Sequence, residues 1–212
     1  FRTAQKAELL QGMRHARMAI GRGQVVCVPT DTSYALVADA FKASAVQALR
    51  EARGMPDGAP LSVFVPGIPT LRALAAEVAD DVATLAAEFW PGALTVIVPA
   101  GESLSWDIGD THGTVALRMP ANRIALELLS ETGPLVQSGA WASGQKPLVS
   151  PSALQKRFEG VVSVVLGAAE EKPGKAVSTV IDATSLDAPQ GKLRIVREGA
   201  ISVTDIFSVI PP

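Results

Sequence analysis

The sequence predicts an α/β protein in which buried strands and amphipathic helices alternate irregularly. Residues 25–28 form a short, almost wholly apolar run of mainly β-branched side chains, which is typical of a strand buried on both faces. Residues 3–20 instead place Leu9, Met13 and Ile20 at helical spacing, with charged side chains off that stripe. With 48% apolar and only 19% charged residues in a chain of 212, the composition is that of a globular protein with a sizeable core.

The same two patterns place the remaining elements along the chain. Helices are predicted over residues 3–20, 44–53, 69–78, 81–89, 122–130, 152–158 and 204–209. Strands are predicted over residues 25–28, 61–65, 94–99, 114–119, 135–137 and 161–166. About seven strands in all are expected, and their order in the sheet stays open.

Turn-forming residues mark where these elements begin and end. Gly21 ends the first helix and Pro29 stops the first strand, because glycine favours a helix C-terminus and proline lacks the N–H that a strand needs. Pro69 stands at a favoured first-turn position, and Asn122 is expected to cap the helix that follows it. The sequence has no internal repeat, low-complexity tract or linker, so we expect a single domain over residues 1–212.

Charge and cysteine content exclude several classes of protein. The net charge of −2 provides no general attraction to nucleic acid or to an anionic membrane. The single cysteine, Cys27, excludes an internal disulfide and a cysteine-ligated metal cluster, and it is expected to be inert packing. No apolar run approaches the roughly 20 residues that cross a bilayer, and residues 1–10 lack a signal-peptide core. We therefore expect a cytoplasmic protein with no membrane partner.

The most informative polar residues follow the first strand directly. Residues 30–34 place three hydroxyls, a carboxylate and a phenol at the end of a buried strand, where an open α/β sheet commonly binds its ligand. A capped turn explains the same residues equally well, because Thr and Asp oxygens often satisfy loose backbone N–H groups. From these residues alone, both interpretations stay open.

Several segments, taken in order, resemble the signatures of the YrdC-like family. P-T-D-T-S-Y-A-L at 29–36 is similar to its opening signature, and F-W-P-G-A-L-T at 89–95 is similar to its F-W-P-G-P-L-T. V-A-L-R-M-P at 115–120, V-S-T-V-I-D at 177–182 and L-R-I-V-R-E-G-A at 193–200 are similar to further family segments. The resemblance extends over nearly the whole chain.

The resemblance implies both a fold and an activity. The implied fold is a single α/β domain with a twisted, mixed parallel and antiparallel sheet, flanked by helices and containing a large open cavity. The implied activity is that of a threonylcarbamoyl-adenylate synthase, which uses L-threonine, bicarbonate and ATP and serves tRNA modification. ATP would arrive with Mg²⁺, and neither a tightly bound cofactor nor a protein-ligated metal is expected. Proteins of tRNA modification are implied as further partners.

The family motifs also assign functional residues to this chain. On the amino-acid side, the implied substrate-binding residues are Thr30, Thr32, Tyr34, Arg118, Ser138 and Ser178. On the nucleotide side, the implied residues are Arg53, Ala140, Ser143, Lys146 and Arg197. Arg118 is expected to hold the threonine carboxylate with its planar pair of N–H donors. No side chain is assigned a covalent or acid–base role, because positioning the reactants and neutralising the triphosphate supply most of the acceleration.

Four residues depart from the family pattern, and all of them lie on the nucleotide side. Arg53 replaces a lysine and Met55 replaces an arginine, so one phosphate contact is altered and another is lost. Gly139 replaces a serine, and Trp141 replaces an asparagine whose amide donor and acceptor an indole cannot reproduce. The indole is expected either to stack on a base or to fill the pocket. These departures leave catalytic activity open.

Two alternative functions therefore stay open beside the synthase. One is a paralogue that keeps the fold and binds a nucleotide, an amino acid or double-stranded RNA without turnover. The net charge of −2 disfavours a general affinity for RNA. The other is a related adenylating enzyme whose specificity Trp141 has changed.

Two further features are expected to be structural. Asp107, Asp110 and His112 lie close together in the sequence and are residue types that bind metals. Their glycine-rich loop, however, has no fixed ligand spacing. Trp90 is expected to be an aromatic anchor in the core rather than a ligand contact.

Overall fold

The fold is known from a computed structural model that describes residues 1–2, 5–141, 145, 147–167, 177–186 and 191–210. Its helices are α1 (Lys6–Gly21), α2 (Ala43–Arg53), α3 (Ile68–Leu74), α4 (Asp80–Phe89), α5 (Arg123–Thr132), α6 (Pro151–Arg157) and α7 (Val203–Val209). Its strands are β1 (Val26–Pro29), β2 (Tyr34–Asp39), β3 (Ser62–Phe64), β4 (Leu94–Pro99), β5 (Thr114–Arg118), β6 (Leu135–Gly139), β7 (Val164–Val165), β8 (Thr179–Asp182) and β9 (Arg194–Arg197).

The nine strands found in these residues form one sheet in the order β7-β1-β2-β6-β3-β5-β4-β8-β9. The pairs β1/β7, β3/β5 and β4/β8 are parallel, and the other neighbours are antiparallel. The predicted α/β class and mixed sheet are therefore confirmed. Across the described ranges, no helix has the length and apolar character that spanning a membrane requires.

Three strands, β2, β8 and β9, are not among the six ranges predicted as strands, and β8 lies in the V-S-T-V-I-D segment at 177–182. β2 reads Y-A-L-V-A-D and is buried on both faces, so it lacks the polar alternation that marks a half-buried strand. β9 is an edge strand whose R-I-V-R sequence carries a charge at each end. The two predicted elements that are shortened most are α3, which ends at Leu74, and the strand predicted over 161–166, which is reduced to Val164–Val165.

The first strand, β1, forms a β-hairpin with β2. β1 pairs antiparallel with β2 in a register that places Pro29 opposite Tyr34. Residues 30–33 therefore lie in the hairpin turn. The turn still places their polar groups at the end of β1, as the sequence predicts.

The sheet separates two apolar cores. Alternate residues of β1 point to opposite cores, with Val26 and Val28 on one side and Cys27 on the other. The smaller core packs α1 and α5 against one face of the sheet, and the larger core packs α2, α3, α4, α6 and α7 against the opposite face. The predicted burial of β1 on both faces is confirmed. Burial also raises the pKa of the Cys27 thiol, which keeps it protonated and unreactive.

The face that carries the smaller core is covered over only part of the sheet. Helices α1 and α5 pack chiefly on β1, β2 and β7. Farther along the sheet, Val96 of β4 and Leu117 of β5 point into the larger core, while their neighbours Thr95, Ile97 and Arg118 point to the uncovered side. The uncovered strands form the floor of an open cavity, which the family resemblance predicts.

Trp90 packs as an anchor, as predicted. The residue is buried, and its indole Nε1–H donates to the carbonyl oxygen of Leu94 at 2.8 Å. The polar edge of the ring is thereby satisfied inside the larger core.

The N-cap of α5 provides a test of this fold. The Asn122 side-chain oxygen accepts the backbone N–H groups of Ile124 and Ala125 at 3.0 and 3.2 Å, as the sequence predicts. Asn122→Ala is expected to lower the free energy of unfolding by about 1 kcal/mol, and Asn122→Asp is expected to lose much less. Urea unfolding followed by circular dichroism measures both variants. Equal losses for the two would show that the capping oxygen does not stabilise the helix.

Candidate functional site

A cavity of about 560 Å³ opens on the uncovered part of the sheet. Its lining is rich in hydroxyl groups, which come from Thr30, Thr32, Ser33, Ser62, Thr95, Thr111, Thr114, Ser138 and Ser178. The charged residues in its described lining are Arg53, Arg118, Arg197 and Asp110. A polar cavity with more guanidinium groups than carboxylates favours anionic ligands that hydroxyl groups can also hydrogen-bond.

The Thr30 hydroxyl shapes the turn between β1 and β2. Its oxygen accepts the backbone N–H groups of Thr32 and Ser33 at 3.2 and 3.1 Å, and the hydroxyl donates to the Ser33 carbonyl oxygen at 2.5 Å. Thr30 and Thr32 are buried, and their hydroxyl oxygens lie 3.2 Å apart. The capped-turn interpretation is therefore confirmed for Thr30. Because the same turn lines the cavity, it does not exclude ligand binding.

Arg118, at the end of β5, is held by contacts at all three of its nitrogens. Its Nε–H donates to the Gly92 carbonyl oxygen at 2.9 Å, and an Nη1–H donates to Thr32 Oγ1 at 3.1 Å. An Nη2–H donates to Asp31 Oδ1 at 2.8 Å, and that oxygen also accepts the Ala121 backbone N–H at 2.9 Å. Arg118 is only 4% exposed, so the ion pair with Asp31 offsets a charge that is otherwise costly to bury.

A second group of contacts joins β4, β9 and the residue before β8. The Thr95 hydroxyl donates to Ser178 Oγ at 3.0 Å, and both side chains are buried. Arg197 donates to the Ser178 carbonyl oxygen from Nε and Nη2 at 3.1 and 2.9 Å, and from Nη2 to Ser178 Oγ at 3.1 Å. Arg197, predicted on the nucleotide side, therefore contacts Ser178, predicted on the amino-acid side.

A third group joins α2 and β6. Arg53 is the last residue of α2, and its Nε–H donates to Ser138 Oγ on β6 at 2.9 Å. Ser138 Oγ also lies 3.9 Å from the Met55 sulfur. The guanidinium carbon of Arg53 lies 5.8 Å from the centre of the Trp141 ring, which is a cation–π distance. Ser138, predicted on the amino-acid side, is thus a partner of Arg53.

Two loops that contribute to the cavity lining are tied to each other. The Leu61 backbone N–H donates to the Ile108 carbonyl oxygen at 2.9 Å. Arg50 is buried on α2, and its Nε–H donates to the Ala59 carbonyl oxygen at 3.2 Å while its Nη2 lies 3.6 Å from Asp107 Oδ1. These contacts fix the loop after α2 against the loop after β4.

The three cavity arginines lie in surroundings that disfavour their charge. Burial lowers the pKa of Arg118, although the charge and hydrogen bond of Asp31 oppose this effect, and the positive charge of Arg197 adds to it. Burial, together with the positive charge of Arg157, lowers the pKa of Arg53, and burial lowers the pKa of Arg197. The ordinary pKa of arginine lies far above neutral pH, so all three stay protonated there. A bound anion would relieve the cost of their charge.

The cavity brings together most of the site residues predicted from the sequence. The predicted residues that line it are Thr30, Thr32, Arg53, Arg118, Ser138, Ser178 and Arg197. Tyr34 and Ala140 are buried in the larger core and are not among its lining residues. Ser143 and Lys146 lie outside the described residues. The roles given to individual residues stay predictions.

Two residues are missing from the predicted site: Thr95, which lines the cavity, and Asp31, which pairs with the cavity residue Arg118. Asp31 looks like an ordinary turn aspartate until the fold places it beside Arg118, 87 residues away in sequence. Thr95 lies between the buried Leu94 and Val96, so strand alternation places it on the opposite face. A single polar residue inside an apolar strand is the signal that identifies such a position.

Among the described residues, the acidic side chains near the cavity do not form a metal cluster. Within the described part of the chain, no group of three or more His, Cys, Asp or Glu side chains is arranged to hold a metal ion. Asp107 lies beside Arg50, Asp110 lines the cavity, and His112 is exposed in a turn.

Comparison with known proteins identifies the family. A family model for Sua5, YciO and YrdC proteins, described as "telomere recombination", matches residues 18–199. The chain belongs to the Sua5/YciO/YrdC family. The resemblance seen in the sequence motifs is thereby confirmed.

Relatives within the Sua5/YciO/YrdC family match most of the chain. A Mycobacterium tuberculosis protein provisionally named threonylcarbamoyl-AMP synthase is 39% identical over 212 residues, which cover 99% of this chain and 94% of the relative. The threonylcarbamoyl-AMP synthase of Pyrococcus abyssi is 34% identical over 200 residues, which cover 93% of this chain and 57% of the relative. The chain therefore spans nearly all of the mycobacterial relative and little more than half of the Pyrococcus one.

A solved structure shares the fold. The crystal structure of Pyrococcus abyssi Sua5 complexed with L-threonine is similar to this chain with a TM-score of 0.84 and 33% identity. The similarity covers 94% of this chain and 57% of that chain. A protein of the Sua5/YciO/YrdC family with this fold therefore binds L-threonine.

Removal of the Asp31 carboxylate is expected to destabilise the protein. Asp31→Ala leaves the Arg118 guanidinium buried without its counter-ion, and should lower the free energy of unfolding by about 3 kcal/mol. Asp31→Asn keeps an acceptor for the Ala121 N–H and is expected to lose less. Chemical denaturation measures both variants. A loss below about 1 kcal/mol for Asp31→Ala, the range of a surface ion pair, would contradict the role given to this contact.

Proposed function

We propose that this protein is a threonylcarbamoyl-AMP synthase, which converts L-threonine, bicarbonate and ATP to threonylcarbamoyl-AMP and pyrophosphate. The observation that carries the proposal is the shared cavity. Thr32, Arg118 and Ser178, predicted to bind threonine, line it together with Arg53 and Arg197, predicted to bind ATP. Two substrates that react with each other need such a common site. The names of the relatives support the same activity.

Arg118 and its neighbours are suited to the carboxylate of an amino acid. A guanidinium has five N–H donors, and the contacts of Arg118 use Nε–H, one Nη1–H and one Nη2–H. One N–H on each terminal nitrogen therefore remains for a carboxylate, which accepts such a pair in a planar, charge-assisted contact. Asp31 and Gly92 hold the guanidinium in place before the ligand arrives. The threonine complex of the Pyrococcus protein supports amino-acid binding in this fold.

The chemistry needs neighbouring sites for the amino acid and the α-phosphate. The threonine amine combines with bicarbonate, with loss of water, to give a carbamate. A carbamate oxygen then attacks the α-phosphorus of ATP, so that a new O–P bond forms while the bond to the β-phosphate breaks and pyrophosphate leaves. Negative charge on the phosphates is neutralised by Arg53 and Arg197. Because Arg197 also contacts Ser178, a phosphate bound to Arg197 would lie beside the amino acid.

ATP would bind as its Mg²⁺ complex. Asp110 is the one carboxylate in the described lining of the cavity, and Mg²⁺ requires several oxygen ligands. We therefore assign the metal to the triphosphate of the substrate. The arginines supply the charge that the protein itself contributes.

The product would serve tRNA modification. On this basis we propose that the protein acts in the cytoplasm, together with the enzymes that transfer the threonylcarbamoyl group to tRNA. We propose that residues 1–212 act there as one domain.

The direct test is pyrophosphate release by the purified protein with ATP, Mg²⁺, bicarbonate and L-threonine. The proposal predicts release that depends on both threonine and bicarbonate, with threonylcarbamoyl-AMP detected by mass spectrometry. L-Serine and L-valine, tested in parallel, are expected to support much less release. Preference for another amino acid would instead identify a respecialised adenylating enzyme. Threonine binding without release above that of heat-denatured protein would identify a non-catalytic paralogue.

Substitution of Arg118 tests the amino-acid side separately. Arg118→Lys is expected to raise KM for threonine about tenfold or more, because an ammonium group cannot present a planar pair of donors. The KM for ATP is expected to change less than about threefold, since Arg53 and Arg197 remain. Arg14→Lys, on the exposed side of α1, is the control and should change neither constant. Equal increases in both KM values for Arg118→Lys would contradict the assignment.

A further inference from the structure

Gly139 and Trp141 are matched to each other in space. A Cβ atom built on Gly139 would lie 2.1 Å from Cη2 and 2.2 Å from Cζ3 of the Trp141 indole, which is closer than real Cβ atoms approach other atoms. The backbone N–H of Trp141 also donates to the Gly139 carbonyl oxygen at 2.9 Å. The indole therefore occupies space that exists because residue 139 has no side chain. A serine at 139 and this placement of the tryptophan are incompatible.

Arg53 is held in place by Ser138 and Trp141. Its Nε–H donates to Ser138 Oγ at 2.9 Å, and its guanidinium carbon lies 5.8 Å from the centre of the Trp141 ring. Its Nη1 is buried, yet none of the described residues accepts a hydrogen bond from this nitrogen. A buried guanidinium nitrogen with unused donors is costly unless a ligand supplies the acceptor.

The charge of Arg53 also lacks a counter-ion in the described part of the protein. No Asp or Glu oxygen there lies within 4.0 Å of its nitrogens, in contrast to Arg118, which pairs with Asp31 at 2.8 Å. The charged neighbour that acts on Arg53 is Arg157, which is positive. An anion in the cavity is the partner that this arrangement favours.

Arginine at position 53 can do what lysine cannot. The planar guanidinium donates from Nε to Ser138, lies at a cation–π distance from an aromatic ring and still has Nη1 donors that none of the described residues uses. An ammonium group is a compact point charge and cannot direct donors in two fixed directions at once. The replacement of the family's lysine by Arg53 is therefore chemically compatible with the replacements by Gly139 and Trp141.

We propose that Trp141 is a positioning residue for Arg53, and that Gly139, Trp141 and Arg53 form one unit that binds the triphosphate of the nucleotide. The proposal rests on the proposed function, because it deepens the assignment of ATP to this cavity. Gly139 provides the space, the indole of Trp141 restricts the guanidinium of Arg53, and this guanidinium, on a residue that lines the cavity, binds a phosphate oxygen. Gly139, Trp141 and Arg53 all depart from the family pattern. Together they provide a phosphate contact in place of the one that the family's lysine makes.

Calorimetric titration with a non-hydrolysable ATP analogue and Mg²⁺ tests the role of Trp141 without requiring turnover. Trp141→Ala is expected to weaken binding of the analogue about 5- to 20-fold, which is the range of a cation–π contact at a partly buried site. Trp141→Phe keeps an aromatic face and is the matched control, with an expected loss below about threefold. The affinity for L-threonine, measured in the same way, should change less than about twofold in both variants.

The space at Gly139 gives an independent test. Gly139→Ser is expected to weaken binding of the analogue at least about tenfold when residue 141 is tryptophan, because the new side chain displaces the indole. In a Trp141→Asn background the same Gly139→Ser change should cost less than about threefold. This non-additivity is what contact between the two residues requires.

Several results would overturn the inference. Unchanged binding of the analogue in Trp141→Ala, or equal losses for Trp141→Ala and Trp141→Phe, would show that the indole does not position Arg53. A parallel loss of threonine affinity would indicate general damage to the cavity. Absence of analogue binding to the unmodified protein would also overturn it. The proposed synthase activity is decided separately: binding that depends on Trp141 without pyrophosphate release would leave this inference standing and contradict the activity.

Discussion

The cavity of this protein depends on the buried ion pair between Asp31 and Arg118. Arg118 ends β5 and is almost inaccessible to water, so its charge needs a partner inside the fold. Asp31 supplies that partner from the β1–β2 turn, and the same carboxylate oxygen accepts the Ala121 N–H just before α5. One carboxylate thereby joins a hairpin turn, the end of a strand and the start of a helix. The amino-acid side of the cavity is fixed by these polar contacts, while apolar packing fixes the sheet beneath it.

The cavity contains positive charges of two kinds, and the difference matches its two proposed substrates. Arg118 is neutralised by Asp31 and retains two N–H donors, which suits a single carboxylate from an amino acid that also carries a positive amine. Arg53 has no such counter-ion in the described residues, and the positive charge of Arg157 disfavours its charged form. An uncompensated guanidinium suits a polyanion such as a triphosphate. Arg197 contacts Ser178, so a residue predicted to bind the nucleotide and one predicted to bind the amino acid meet in the same cavity.

The sequence predicts the fold better than it predicts the contacts within the site. The helices and six ordered apolar runs follow from periodicity, because each buries one stripe or both faces. β2 is not predicted, because a strand that is buried on both faces has no polar alternation. Arg118 stands out as a charge inside an apolar strand, but its partner Asp31 becomes visible only when the fold brings the two together. The sequence also does not reveal the fit between Gly139 and Trp141. Motif comparison treats each position alone, whereas the indole occupies the space that a side chain at residue 139 would need.

The most direct measurement of the central claim is a crystal structure with L-threonine, Mg²⁺ and a non-hydrolysable ATP analogue bound together. The account predicts the threonine carboxylate within hydrogen-bond distance of the Arg118 terminal nitrogens, phosphate oxygens on Arg53 and Arg197, and the indole of Trp141 still against Gly139. Threonine bound away from Arg118, or an indole that fills the space where the triphosphate should lie, would contradict it.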